Sequence, residues 1–363
     1  MLNDYTSDCT NLRKAVKHRR KKRKLLYLLI LTSCLLLLLI ALLLIHALAK
    51  HGEELAEKII PSYSFAIEQT EPTKDKQTLA LEKLKIESAQ APLNLAGADL
   101  QFNSQNILVL DLSDSKILFS KAGLEQAYPA SLVKMMTSIL AYENIKDLDA
   151  PLTMSEDMYH EFYRIDASMA GYLPHEKTSA RELLYGLFLA SGAECSTQLA
   201  LTVDPDLNSF VAKMNAKAKE IGMYQTNFTN VTGLHDPKQV TSAYDMAKCL
   251  AYIAKYPALR EIMLAKSHIA PKTEQHPKGF EYNNLVFKRF ELIPNRWEFK
   301  WDILGGKTGY TDEAKQTMAT LIAYQGKEYV IVTLNASFTK GMKANPLALD
   351  IVNIMDELLQ KAA

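Results

Sequence analysis

The chain has little of what metal and disulfide chemistry requires. Four cysteines and eight histidines are spread over 363 residues. No His-x-x-x-His pair stands beside a glutamate, so no metal site is expected. Gly-x-Ser-x-Gly is absent, which removes the nucleophile elbow of an α/β-hydrolase. No internal repeat is visible. A net basic charge is missing from the body: the first 24 residues hold nine Lys/Arg against two Asp, more than the whole formal charge of +1, so the remainder is net negative. Nucleic acid is therefore not an expected partner. Of the cysteines, Cys9 and Cys34 lie near the N-terminus, while Cys195 and Cys249 stand in helix-like apolar surroundings and read as buried free thiols, with a disulfide left open.

What is present begins with a long apolar run. Residues 25–48 carry no formal charge, and at ~1.5 Å per residue a helix of that length covers the ~30 Å of a bilayer's hydrocarbon. The cluster Arg13, Lys14, Lys17 and Arg19–Lys24 precedes it directly. The positive-inside rule then places a cytoplasmic tail at 1–24, a transmembrane helix at 25–48 and the rest outside the membrane. Ala47-Leu48-Ala49 also has the small-x-small form of a signal cleavage site. Residues 49–98, rich in Glu, Lys, Gln and Ala with Pro61, Pro72 and Pro92, read as a stalk.

From Asp99 the pattern becomes that of a folded domain, 99–363. Ile107–Leu110 and Ile117–Phe119, joined across Ser113-Asp114, predict a strand hairpin, and Met318–Tyr324 with Tyr329–Leu334 predict another around Gln325-Gly326-Lys327. Between them the spacing predicts helices over Leu132–Tyr142, Arg181–Thr202, Phe210–Ile221 and Met246–Ala254, the last opened by a capping box from Thr241 or Ser242 to Asp245. A closing helix is predicted over Leu347–Leu359. The order implies an α/β (α+β) domain whose sheet is completed by both chain ends, with a helical region inserted.

Ser131-Leu132-Val133-Lys134 carries the first candidate chemistry. A serine hydroxyl is a weak nucleophile until a base takes its proton, and a lysine one helical turn later places its amine on the same face. That amine must be partly neutral, hence buried. The same spacing recurs at Ser113–Lys116 and Ser337–Lys340, but in a turn and at a strand exit, where the two positions do not share a face. Only Ser131 leads an apolar helix. Lys307-Thr308-Gly309, just before the second hairpin, is the other candidate. On an edge strand the lysine and threonine would hold a substrate carboxylate, and the glycine would admit the substrate backbone. Tyr159, Phe162, Tyr163 and Tyr172 are either groove lining or plain packing.

On Tyr128–Thr137, Thr226–Asn230 with Gly233-Leu234, Asp245–Ala247 and Gly306–Thr311, residues 99–363 resemble the serine-type D-alanyl-D-alanine carboxypeptidases. These are the low-mass penicillin-binding proteins, related to serine β-lactamases, and their Ser-x-x-Lys and Lys-Thr-Gly motifs are an established pairing. The resemblance implies a β-lactamase/transpeptidase-like fold, an antiparallel sheet flanked by helices with an inserted helical subdomain. It implies Ser131 as nucleophile, Lys134 as base, and Ser191 relaying a proton to the leaving group. Lys307, Thr308, Gly309 and Tyr310 would bind substrate, with the Ser131 and Tyr310 backbone N–H groups as oxyanion hole. Peptidoglycan stem peptides and β-lactams are the implied partners, beside the membrane; no cofactor is implied. The middle motif, Ser191-Gly192-Ala193, lacks the family's usual asparagine. That removes one positioned hydrogen bond, about 1–3 kcal/mol, unless Glu194 or a water stands in. A β-lactamase and a non-catalytic wall-binding protein are the competing readings.

Overall fold

The computed structural model describes residues 101–338 and 341–362. The expected tail 1–24, membrane helix 25–48 and stalk 49–98 lie outside the described residues. Among the described residues no helix is long and apolar enough to cross a membrane.

Ser104–Asp111 (β1) and Lys116–Lys121 (β2) form an antiparallel hairpin. Ile107–Leu110 are buried on both faces of β1, as the continuous apolar run of a central strand requires. The chain then enters helix Val133–Asn144 (α1), where Val133 to Ala141 are all buried. A helix buried along nine consecutive residues is a core helix. Pro151–Thr153 (β3), helix Tyr159–Arg164 (α2) and Lys177–Ser179 (β4) follow, β3 and β4 pairing as a small ribbon. Helices Ala180–Tyr185 (α3), Ala193–Val203 (α4), Leu207–Glu220 (α5), Ala243–Ile253 (α6) and Pro257–Leu264 (α7) complete the middle region. A second ribbon, Ser267–Ala270 (β5) with Phe280–Asn283 (β6), precedes helix Leu285–Phe290 (α8). Strands Asp302–Thr311 (β7), Lys315–Tyr324 (β8) and Lys327–Ala336 (β9) and helix Pro346–Ala362 (α9) end the domain.

The main sheet is antiparallel in the order β2-β1-β9-β8-β7, so the first hairpin pairs with the last and β7 is left at an edge. Alternation divides its side chains. Leu108, Leu110, Leu321, Val330 and Val332 face the helical middle, whereas Ile107, Val109, Met318, Ile322 and Ile331 face Leu347, Ile351 and Ile354 of α9. The fully buried Asp350 fastens α9 to the start of β1, accepting from Asn103 N (2.8 Å), Asn103 Nδ2 (2.9 Å) and Ser104 N (2.7 Å). Asp350→Ala would leave these donors unpaired and is expected to destabilise the domain by about 2 kcal/mol, read as a fall in the denaturant midpoint.

Two expectations need correction, and the open reading of the four aromatics is decided. The helix expected over Arg181–Thr202 is broken: a wide π-type turn at Gly186–Ala190 ends in Ser191 with left-handed φ of 63°, and α4 starts afresh at Ala193. The expected capping box is half formed. Ser242 Oγ accepts from Asp245 N (3.1 Å), but the Asp245 carboxylate turns to Gln225 N and Thr226 Oγ1, both at 2.7 Å, because the preceding loop lies against the helix start. Tyr159, Phe162 and Tyr172 are buried, with Tyr159 Oη donating to Tyr172 O at 2.9 Å; of the four aromatics only Tyr163 is exposed. Cys195 and Cys249 are free and buried.

Candidate active site

Ser131 sits, half-buried, in the tight turn Ala130–Leu132 that feeds α1, behind an Ala130 held at φ +46°. A left-handed alanine persists only where its surroundings over-determine it. Here Thr317 Oγ1 of β8 donates to Pro129 O at 3.2 Å, and Gly233 presses on the turn from behind. A Cβ at Gly233, whose φ is +85°, would stand 2.1 Å from Ala130 O, so only glycine fits.

One helical turn on, Lys134 Nζ lies 3.1 Å from Ser131 Oγ and donates to Thr232 O at 2.5 Å. Burial drops the Lys134 ammonium from its ordinary range to about 8, against the opposing influence of Glu194 and Cys195. A lysine that releases its proton there is a competent base for the neighbouring hydroxyl. Its second acceptor is delivered by a turn built on Asn230. The Asn230 Oδ1 accepts from Gly233 N (2.8 Å) and Thr232 N (3.2 Å), and its Nδ2 donates to Leu234 O (3.0 Å).

The opposite wall is edge strand β7. Gly309 approaches the nucleophile so closely that a Cβ on it would lie 2.8 Å from Ser131 N and 2.5 Å from Thr317 Oγ1. Thr308 is buried, Tyr310 is exposed at the cleft mouth, and the Tyr310 hydroxyl donates to Asp312 Oδ1 at 2.8 Å. Lys307 is fully buried; its Nζ donates to Ser191 Oγ (2.9 Å) and Thr308 O (2.8 Å). Burial, joined by the charges of Lys134 and Arg289, pushes this ammonium well below its usual range. The left-handed turn at Ser191 is what presents its hydroxyl to β7 instead of leaving it within a helix.

The structure thus gathers Ser131, Lys134, Ser191, Lys307, Thr308 and Gly309 into one region. Thr232 and Asn230 received no role from the sequence, since a carbonyl leaves no side-chain signature. Their trace is the turn-forming run Asn230–Gly233. Ala193 is buried beside Ser191 and carries no polar group.

A partly exposed serine hydroxyl against a buried lysine, on a turn flanked by an edge strand, is equipment for serine-type acyl transfer. A family model described as D-alanyl-D-alanine carboxypeptidase matches residues 88–338. The chain is 29% identical over 252 residues to a Bacillus subtilis D-alanyl-D-alanine carboxypeptidase, DacF, covering 68% of this chain and 61% of the relative. It is 27% identical over 255 residues to DacA of Haemophilus influenzae, covering 66% and 60% respectively. The chain thus spans about 60% of the length of these two relatives. Among solved structures, a Mycobacterium tuberculosis D-alanyl-D-alanine carboxypeptidase superposes with a TM-score of 0.64 at 23% identity, over 75% of this chain and 96% of that one. A Streptomyces DD-transpeptidase gives 0.63 at 22% identity, over 72% and 98%. These two share the fold. The chain belongs to the D-alanyl-D-alanine carboxypeptidase family.

Proposed function

We propose that this chain is a serine D-alanyl-D-alanine carboxypeptidase that removes the terminal D-alanine from peptidoglycan stem peptides through an acyl-enzyme on Ser131. The observation that carries the reading is the 3.1 Å approach of the buried Lys134 amine to the Ser131 hydroxyl, with strand β7 against the same turn. Neutral Lys134 takes the hydroxyl proton as Ser131 Oγ bonds to the carbonyl carbon between the two D-alanines. The developing oxyanion meets the Ser131 and Tyr310 N–H groups. Lys307 and Thr308 receive the terminal carboxylate. The proton taken by Lys134 is relayed through Ser191, bonded to Lys307, to the departing amine as the C–N bond breaks. Water then cleaves the ester, returning the hydroxyl to Ser131. A β-lactam enters the same first step and leaves an ester that hydrolyses slowly.

The sequence further supports an anchor: residues 25–48 span the membrane, the basic tail stays in the cytoplasm, and residues 99–363 work outside it on a stalk. The test is release of free D-alanine from a D-alanyl-D-alanine-terminated peptide, followed across pH. Below the Lys134 midpoint the amine is protonated and cannot accept from Ser131, so the rate should climb up to tenfold per pH unit and level off above about 8. A rate independent of pH over that range, or no D-alanine at any pH, contradicts the reading.

A further inference from the structure

The Thr232 carbonyl decides where the Lys134 amine points. A carbonyl only accepts, so it claims an N–H in either charge state of the amine, whereas a hydroxyl both donates and accepts. Neutral Lys134 has two N–H groups and one lone pair. With one N–H committed to Thr232 O at 2.5 Å, the two remaining tetrahedral positions on Nζ have fixed directions, and one of them meets Ser131 Oγ at 3.1 Å. That position is open to the lone pair, which is where the Ser131 proton has to go. If the carbonyl drifts, Nζ is free to rotate and the lone pair leaves the hydroxyl.

The loop that carries this carbonyl, residues 229–234, touches both reacting groups: Gly233 presses on Ala130 before the nucleophile, and Thr232 O holds the base. Its shape is fixed by a side chain that the catalytic steps above do not use. Gln239 lies just beyond the loop and is only 2% exposed. Its Oε1 accepts from Thr229 N and Asn230 N, both at 3.2 Å, and its Nε2 donates to Leu234 O at 2.8 Å. One amide thus joins the first two residues of the loop to the last. The backbone behind it is itself anchored, since Gln239 N donates to Asp236 O at 2.9 Å and Val240 exchanges two N–H···O bonds with Asn227, at 2.9 and 3.1 Å. A buried amide is costly unless its polar atoms are bonded, and here the loop backbone supplies the partners.

We propose that Gln239 is a positioning residue of this site: by clasping both ends of loop 229–234 it fixes the Thr232 carbonyl, and with it the direction in which Lys134 offers its lone pair to Ser131. The inference rests on the acyl-transfer reading above. Gln239→Met keeps the length and shape of the side chain and removes all three bonds. Gln239→Asn keeps the amide and draws it back by one methylene, so that it can serve one end of the loop and not both.

The test is acylation of the full chain in detergent by labelled penicillin at about pH 9, above the value of about 8 to which burial drops the Lys134 ammonium, so that the amine is mostly neutral. Rates are counted per Ser131 that labels at completion, which keeps any misfolded fraction out of the result. In Gln239→Met the saturating rate should fall roughly ten- to a hundredfold, with Gln239→Asn between it and the wild type, the scale of a misdirected reacting group. The penicillin concentration giving half that rate should stay within about twofold, because the Lys307 and Thr308 wall is untouched. A saturating rate within about twofold of wild type in both variants, or a loss carried entirely by the half-saturating concentration, overturns this proposal and leaves the acyl-transfer reading standing. Absence of Ser131-dependent labelling in the wild-type chain overturns that reading, and this proposal with it.

Discussion

Ser131→Ala is expected to lower kcat/KM for D-alanine release on the order of 10⁶-fold, the scale seen when a serine hydrolase loses its nucleophile. The loss is this large because neighbouring hydroxyls are already engaged. Thr137 Oγ1 donates to Val231 O at 2.9 Å, Ser138 Oγ to Met135 O at 2.7 Å, and Ser191 Oγ already accepts from Lys307. Stability should change little, since Ser131 is partly exposed and, among the described residues, its hydroxyl meets only Lys134. Steady-state kinetics beside a thermal melt makes the check. Retention of more than a few per cent of wild-type activity by a folded variant would move the nucleophile elsewhere.

Gly309→Ala is expected to cost at least about 10²-fold in kcat/KM while the domain still folds, the penalty attached to misplacing reacting groups by roughly 1 Å. The added methyl would meet Ser131 N at 2.8 Å and Ala130 Cβ at 3.0 Å. Neither the backbone nitrogen nor the short alanine side chain can swing aside. Edge strand β7 has a neighbour on one side only, β8, so the strain is relieved by β7 moving away from the nucleophile turn. That motion takes the Tyr310 N–H and Thr308 with it. Normal turnover in this variant would show that the approach of β7 to Ser131 is not part of the catalytic geometry.

Much of this arrangement was legible before any coordinates. Short apolar runs bounded by turn residues marked both hairpins, and their separation by a helical stretch implied a sheet closed by the two chain ends, as the pairing of β1 with β9 bears out. Ser131 was separable from two serines with equal lysine spacing because only it opens an apolar helix. The unreadable parts share one physical cause. Ser191 stands in a segment with helical apolar spacing from Leu183 to Leu199, and its left-handed backbone answers to the packing of Gly186, Ala170 and Cys195 around it. Thr232 meets Lys134 through a carbonyl from 98 positions away. Side-chain patterns report which face is buried, not which backbone atom a loop delivers. Glu194 was expected only as a stand-in for the missing asparagine; its carboxylate accepts from Ala170 N and Gly171 N, backbone donors that leave no trace in the sequence.

The central claim is that the hydroxyl at position 131 is the group that becomes acylated. Its most direct test is peptide mapping by mass spectrometry after brief exposure of the full-length protein to a penicillin. The account predicts a single penicilloyl ester on the peptide containing Ser131, formed faster as the pH rises towards 8 and absent in Ser131→Ala. No adduct on the folded protein, or an adduct on another residue, would contradict it.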